Sequence, residues 1–183
     1  MYRFISIVVP AYNAATSLGR CIESLLALDY PKEKLEILVV DNASTDQTPT
    51  LISQYPVRGL REGTPGAAAA RNRGVVCAQG DIIAFTDADC LVHTNWAREI
   101  NRTFADPHVD AVMGFAAGMN ANFWAGLEQG NFEAFWFRQE AQGYALKRLG
   151  IDTRNCAIRK AVLEACGYFN AELRDCEDLD LSV

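Results

Sequence analysis

The sequence predicts an α/β fold with a mostly parallel central sheet flanked by helices. Three observations predict it. Short apolar runs, Phe4 to Val9, Leu35 to Val40 and Ile82 to Phe85, are too brief for helices and read as buried strands. Segments of helical pattern alternate with them, and strand, helix, strand, helix in that order implies parallel pairing through right-handed crossovers. Each run also empties into a polar or acidic cluster, and in open α/β sheets ligands bind outside the carboxyl ends of the strands.

In chain order, the first strand is closed by Pro10, and Asn13 or Thr16 can cap a helix in which Leu18, Ile22, Leu25 and Leu26 form an apolar stripe. Tyr30-Pro31 ends that segment. The second strand runs from Leu35 to Val40 and ends at Asp41, after which Ser44 or Thr45 can cap a helix to about Gln54. Val57 to Arg61 reads as an edge strand, and Gly63-Thr64-Pro65-Gly66 opens an alanine-rich helix to about Ala78. The Ile82–Phe85 strand follows, then a helix from Asn95 to Phe104 and a strand from Asp110 to Phe115. Asn122 to Leu149 is helical in composition, with Phe132, Phe135 and Trp136 on one face. That stripe either packs on the sheet or serves acceptor binding or docking at a membrane surface. Asp152 to Ile158 reads as a further strand, and Arg159 to Cys166 as a short helix stopped by Gly167.

The chain has 183 residues, 50% hydrophobic and 22% charged, with no low-complexity tract. It is long enough for a core and has the composition of a globular protein. A net charge of -6 argues against a nucleic-acid partner. Six cysteines form no CxxC pair, no stretch has the h-region of a signal peptide, and no window has the length of a membrane span. The expectation is a cytoplasmic protein with free thiols that can touch the inner face of a membrane.

The stretch Thr86-Asp87-Ala88-Asp89 places two carboxylates where the Ile82–Phe85 strand runs out. They converge if the chain turns at Ala88. Two hard oxygen ligands suit Mg²⁺ or Mn²⁺, which complete their coordination with water and substrate phosphate. An acidic protein that handles phosphates needs such an ion to offset repulsion. The bland reading of the same residues is a solvated acidic turn.

Taken together, the motifs resemble the family 2 inverting nucleotide-sugar glycosyltransferases of the GT-A fold. Val8-Val9-Pro10-Ala11-Tyr12-Asn13 is similar to the family's "VPxYN", and Val39-Val40-Asp41-Asn42-Ala43-Ser44-Thr45-Asp46 to its "VVDDGSTD". Ala70-Arg71-Asn72-Arg73-Gly74 resembles "ARNxG", and Asp87-Ala88-Asp89 stands at the D-x-D position. Asn155-Cys156-Ala157-Ile158-Arg159-Lys160 with Gly167-Tyr168-Phe169 resembles the approach to the acceptor site, and Glu177-Asp178-Leu179-Asp180-Leu181 the "EDxDL" segment.

The resemblance implies a divalent cofactor, Mn²⁺ or Mg²⁺, a nucleotide-sugar donor, most simply a UDP-sugar, and a glycan or lipid-linked glycan acceptor. It implies that Asp41 accepts the uracil ring N–H and that Pro10, Ala11, Tyr12 and Asn13 flank the base and ribose. Arg71 would supply a cation near the nucleotide, Asp87 would meet the ribose and the metal shell, and Asp89 would bind the metal. Asp178 would be the base that deprotonates the acceptor hydroxyl, with Glu177 and Asn155 shaping the acceptor pocket. Structural readings stand beside these: Asp41 as a helix cap, Arg71 in a surface salt bridge, and Glu177 and Asp178 at a helix N-terminus.

Residues 1–183 are thus expected to form one domain, with 1–92 binding the nucleotide sugar and 93–183 facing the acceptor. The family continues past "EDxDL", so the chain is expected to be C-terminally shortened. A catalytically incomplete domain that only binds nucleotide sugar is the alternative. A sugar-nucleotide pyrophosphorylase fits less well, because Pro10-Ala11-Tyr12-Asn13 is no glycine-rich phosphate loop. Asn42 stands for the family's second acid and Ala43 for its glycine, both in the loop expected beside the nucleotide.

Overall fold

In the computed structural model, residues 1–114 and 151–173 are described. Six strands, β1 (Ile5–Ala11), β2 (Leu35–Asn42), β3 (Arg58–Glu62), β4 (Ile82–Phe85), β5 (Ala111–Met113) and β6 (Cys156–Arg159), form one sheet in the order β3-β2-β1-β4-β6-β5. The β3-β2-β1-β4 half is parallel throughout. β6 enters antiparallel between β4 and β5. The mostly parallel α/β sheet read from the sequence is therefore present.

The helices cover both faces. On one lie α1 (Leu18–Leu26), α2 (Thr48–Ile52) and α4 (Trp96–Thr103), whose Leu18, Ile22, Leu25, Ile52 and Ile100 pack with Ile5, Ile7, Val9, Val39 and Ile82. On the other, α3 (Ala67–Cys77) and α5 (Lys160–Ala165) bring Ala68, Ala70, Val75 and Leu163 against Val8, Leu38, Val40, Ile83 and Phe85. The alanine content of α3 has a steric cause. A Cβ at Gly74 would stand 2.3 Å from Val8 Cγ1, so only small residues let the helix lie this close to β1. With both faces covered, the parallel strands read as unbroken apolar runs rather than as alternation.

Boundaries differ from the sequence reading for identifiable reasons. α1 has Ser17 rather than Asn13 or Thr16 at its N-cap, and α2 starts at Thr48 after Gln47 and ends at Ile52. Asn13, Ser44 and Thr45 are instead committed to each other across two loops, as described below. β5 is confined to Ala111–Met113, and β6 starts only at Cys156, because residues 152–155 form a turn closed by Asn155 N–H donating to Asp152 O at 3.2 Å. α5 ends as expected, with Gly167 in the left-handed region at φ +80°. The aromatic segment 122–149 and the acidic segment with Glu177 and Asp178 lie outside the described residues. Among the described residues, no helix is long and apolar enough to cross a membrane.

Candidate active site

The parallel strands deliver their exits to one rim of the sheet, and the loops after β1 and β2 are sewn together there. Asn13 N–H donates to Ser44 Oγ at 3.0 Å, while Asn13 Oδ1 accepts Thr45 N–H at 2.8 Å. Ala14 N–H donates to Thr48 Oγ1 at 2.8 Å and Ala15 N–H to Asp46 Oδ2 at 3.1 Å. Asn13 (φ +48°) and Ala43 (φ +56°) both adopt the left-handed backbone this requires. The platform leaves Tyr12 projecting, 64% exposed, with its ring available for stacking. Pro10 and Ala11, the last residues of β1, form its base.

Asp41 stands at the foot of this platform, only 3% exposed. Its Oδ1 accepts Ser44 N–H at 3.3 Å, a bond within the loop rather than the helix cap expected of it, since α2 starts only at Thr48. Its Oδ2 is buried and, among the described residues, has no hydrogen-bond partner. A buried carboxylate oxygen left unmatched costs free energy unless a donor is delivered to it. A cavity of about 430 Å³ opens beside it, lined also by Ile52, Gly59 and Arg61. The neighbouring Asn42, in the loop expected beside the nucleotide, is 6% exposed and bonded to the next loop. Its Nδ2–H donates to Thr64 O at 2.7 Å and its Oδ1 accepts Gly66 N–H at 2.8 Å, so it fastens the loop between β3 and α3.

After β4 the chain does turn at Ala88: Cys90 N–H donates to Asp87 O at 3.0 Å, and Ala88 is buried between an exposed Asp89 and a half-buried Asp87. Arg71, on α3, is 4% exposed and reaches Asp87 with Nη2 3.0 Å from Oδ1. It is therefore an interior ion pair rather than a surface one. Burial pushes the Asp87 carboxyl above the usual range, Arg71 opposes this, and the fields of Asp89 and Asp152 add to the rise. Cys21, whose thiol lies 3.4 Å from Asp87 O, is pushed up to about 12 by burial, and Cys90 to about 11 for the same reason. Burial therefore favours the protonated thiol at both positions.

Two carboxylates, one of them fully presented, fit a hard divalent ion that takes its remaining ligands from water and phosphate. Among the described residues, no cluster of three His, Cys, Asp or Glu side chains has the geometry of a metal site. Asp87 and Asp89 are the candidate ligands among the described residues.

Three features of the rim were not foreseen. The turn before β6 holds Asp152 and Arg154 in a fork, with Nε 3.0 Å from Oδ1 and Nη2 2.8 Å from Oδ2. Asn72, next to Arg71, grips the backbone of Phe169 in both directions: Nδ2–H donates to Phe169 O at 2.8 Å and Oδ1 accepts Phe169 N–H at 3.0 Å. Asn155, expected at the acceptor pocket, accepts the Trp96 indole N–H at 2.8 Å and thereby ties β6 to α4. Asp178 and Glu177 lie outside the described residues. The Asn72 contact had a signal in the sequence, the adjacency of Arg71 and Asn72 in one motif. The Asp152–Arg154 fork had none.

A mostly parallel sheet with helices on both faces and its strand exits gathered at one rim defines an α/β protein of the GT-A fold. The family model described as "Glycosyl transferase family 2" matches residues 6–167, and the chain belongs to that family. It is 31% identical over 172 residues to the glycosyltransferase AglE of Haloferax volcanii, an alignment covering 91% of this chain and 56% of AglE. Its structure superposes on the mannosyltransferase PcManGT from Pyrobaculum calidifontis, solved in complex with GDP-Man and Mn²⁺, with TM-score 0.77 and 26% identity over 97% of this chain and 50% of that one. It also superposes on Staphylococcus aureus TarS 1–349 in complex with UDP, with TM-score 0.74 and 21% identity over 100% of this chain and 54% of that one. TarS is a poly(ribitol-phosphate) beta-N-acetylglucosaminyltransferase. The chain spans 56% of the length of AglE, about half that of its relative.

Proposed function

We propose that the protein carries the catalytic machinery of a metal-dependent inverting glycosyltransferase, which moves a sugar from a UDP-sugar to a hydroxyl of a glycan or lipid-linked glycan. The observation that carries the donor half is the buried, partnerless Oδ2 of Asp41. An ionised carboxylate only accepts hydrogen bonds, so it favours a base with a ring N–H. Uracil, thymine and guanine offer one; adenine and cytosine do not. Tyr12 stacks on that base, with Pro10, Ala11 and Asn13 setting the loop that flanks it. Asp87, fixed by Arg71, and the exposed Asp89 would hold the divalent ion. When bound, that ion supplies Lewis-acid stabilisation of the charge that develops on the leaving nucleotide.

On the acceptor side, Asp178 takes the proton of the attacking hydroxyl, and Glu177 and Asn155 shape the pocket. Residues 1–92 form the donor half and 93–183 the acceptor half of one domain. The aromatic segment 122–149 supplies acceptor or membrane-surface contacts. The cysteines among the described residues are free, which supports a reducing, cytoplasmic setting.

The reading is tested by calorimetric titration of UDP into the protein with Mn²⁺ and again with EDTA, followed by GDP and TDP. Metal-dependent binding that is lost in Asp89→Ala and in Asp41→Ala is the expected result. Metal-independent binding, or no binding of any of the three nucleotides, overturns it. For the acceptor half, Asp178→Asn should retain donor binding and lose transfer. Unchanged transfer would remove Asp178 from the role of base.

A further inference from the structure

β6 is the strand that carries the acceptor half back beside the donor half. Its ladder with β4 runs from Ile82 opposite Arg159 to Phe85 opposite Cys156. Because the pairing is antiparallel, residues entering β6 face residues leaving β4. Two turns therefore meet at the rim: Asp87–Cys90, which carries the paired carboxylates, and Asp152–Asn155, which carries Arg154. Their side chains feel one another. Asp152 contributes to the raised pKa of Asp87, and Asp87 and Cys90 both act on Arg154.

Within the second turn, Asp152 is the fixed partner and Arg154 the presented one. The Asp152 side chain is 13% exposed and that of Arg154 47%. Asp152 Oδ1 also accepts Arg154 N–H at 3.0 Å, so the carboxylate holds both the backbone and the guanidinium of the same residue. The bonds through Nε and Nη2 fix the plane of a cation that reaches solvent. Arg71 does not present itself in this way: its side chain is 5% exposed and engaged with Asp87. The rim thus has an interior arginine that holds Asp87 and a part-exposed arginine, anchored by Asp152, whose charge also meets that of Asp87.

We propose that Arg154 binds the diphosphate of the nucleotide donor, with Asp152 as its positioning residue. The planar guanidinium matches phosphate oxygens in a way that a point charge does not. A nucleoside diphosphate seated on Asp41 and Tyr12 and reaching toward Asp87 and Asp89 brings its phosphates to this junction. There the Arg154 guanidinium would offset part of its charge. As the glycosidic bond to the leaving phosphate breaks, negative charge builds on that phosphate, and a preoriented cation stabilises it without reorganising.

This rests on the donor reading above, and the test separates the two. UDP and uridine are each measured with Mn²⁺, UDP by calorimetry and uridine by ligand-observed NMR, on wild type, Arg154→Met, Arg154→Lys and Asp152→Asn. Arg154→Met should weaken UDP roughly tenfold to a hundredfold, the range for hydrogen bonds to charged groups. Uridine, which has no phosphate, should bind as in wild type. Arg154→Lys should recover part of the loss, and Asp152→Asn should show a smaller one. Unchanged UDP affinity in Arg154→Met overturns the proposal, and so does a parallel loss of uridine, which marks a structural role. If wild type binds none of UDP, GDP and TDP, the donor reading falls and this one falls with it.

Discussion

Arg71 Nη2 and Asp87 Oδ1 stand 3.0 Å apart, and the pair is lopsided, the arginine side chain 5% exposed and the aspartate 30%. α3 thus inserts a cation beneath the paired-carboxylate turn, where the Asp87 carboxylate compensates it. The Phe169 ring adds a weaker contact, 6.0 Å from the guanidinium carbon. Removing the carboxylate leaves the cation buried, which is costly in a way that removing an exposed acid is not.

Asp87→Ala should therefore lower stability by about 3 kcal/mol, the lower end for breaking a buried pair, because one partner is part-exposed. Asp89→Ala should stay within about 0.5 kcal/mol of wild type, as exposed substitutions do. Both should lose Mn²⁺-dependent UDP binding. Urea melts beside calorimetry check this. Equal stability of the two variants would show that the ion pair carries no structural weight.

The same burial sets a pH dependence. A proton competes with the metal for Asp87, and burial holds its carboxyl above the usual range. Mn²⁺-dependent UDP binding should accordingly fail on acidification at a higher pH than the ~3.9 of an exposed aspartate would give. The stability linkage has the opposite sense to most acids. Because the folded value exceeds the unfolded one, the folded state holds this proton more tightly. The contribution of Asp87 to stability is then lost as pH rises through the window between the two values. Asp87→Asn should abolish that slope, and urea melts across the acid range report it.

What the sequence made legible follows from how each feature is encoded. The strands and the turn at Ala88 were readable because buried parallel strands are apolar runs and their exits are polar. Arg71 was found at the right end of the sheet, although its burial was not. Asn13, expected to flank the nucleotide, and Asn42, in the loop expected beside it, both use their amides to join loops: Asn13 bonds to Thr45, and Asn42 to Thr64 and Gly66. An asparagine beside a strand exit has the same sequence signature whether it holds a ligand or a loop. The Asp152–Arg154 fork was read as part of a strand. Only the antiparallel entry of β6 between β4 and β5 brings it to the rim, and no local periodicity encodes which strand a late segment will join.

Ala43 offers a test of local strain. At φ +56° it holds a conformation that costs an L-residue about 1–2 kcal/mol, while glycine gives back roughly 0.5–1 kcal/mol in chain entropy. Ala43→Gly should raise stability by up to about 1 kcal/mol in a urea melt. A loss of stability would mean that the Ala43 methyl makes contacts worth more than the strain.

Asn72 provides the sharpest separation of donor from acceptor function. Its two bonds to Phe169 join α3, which holds Asp87 through Arg71, to the backbone that runs on toward Glu177 and Asp178. Tyr168, just before, sits at φ +69°, so this stretch is kept in an unfavourable conformation that the clamp and the edge-to-face contact of Phe169 with Phe85 (5.3 Å) hold in place. Asn72→Ala should cost about 1–3 kcal/mol of stability, since two part-buried backbone groups lose their partner. UDP affinity with Mn²⁺ should change less than about threefold, because Asp41, Arg71, Asp87 and Asp89 all keep their bonds. Turnover of a UDP-sugar, to acceptor or to water, should fall at saturating donor. A drop in donor affinity with unchanged turnover would place Asn72 in the donor site and break the proposed link between the two halves.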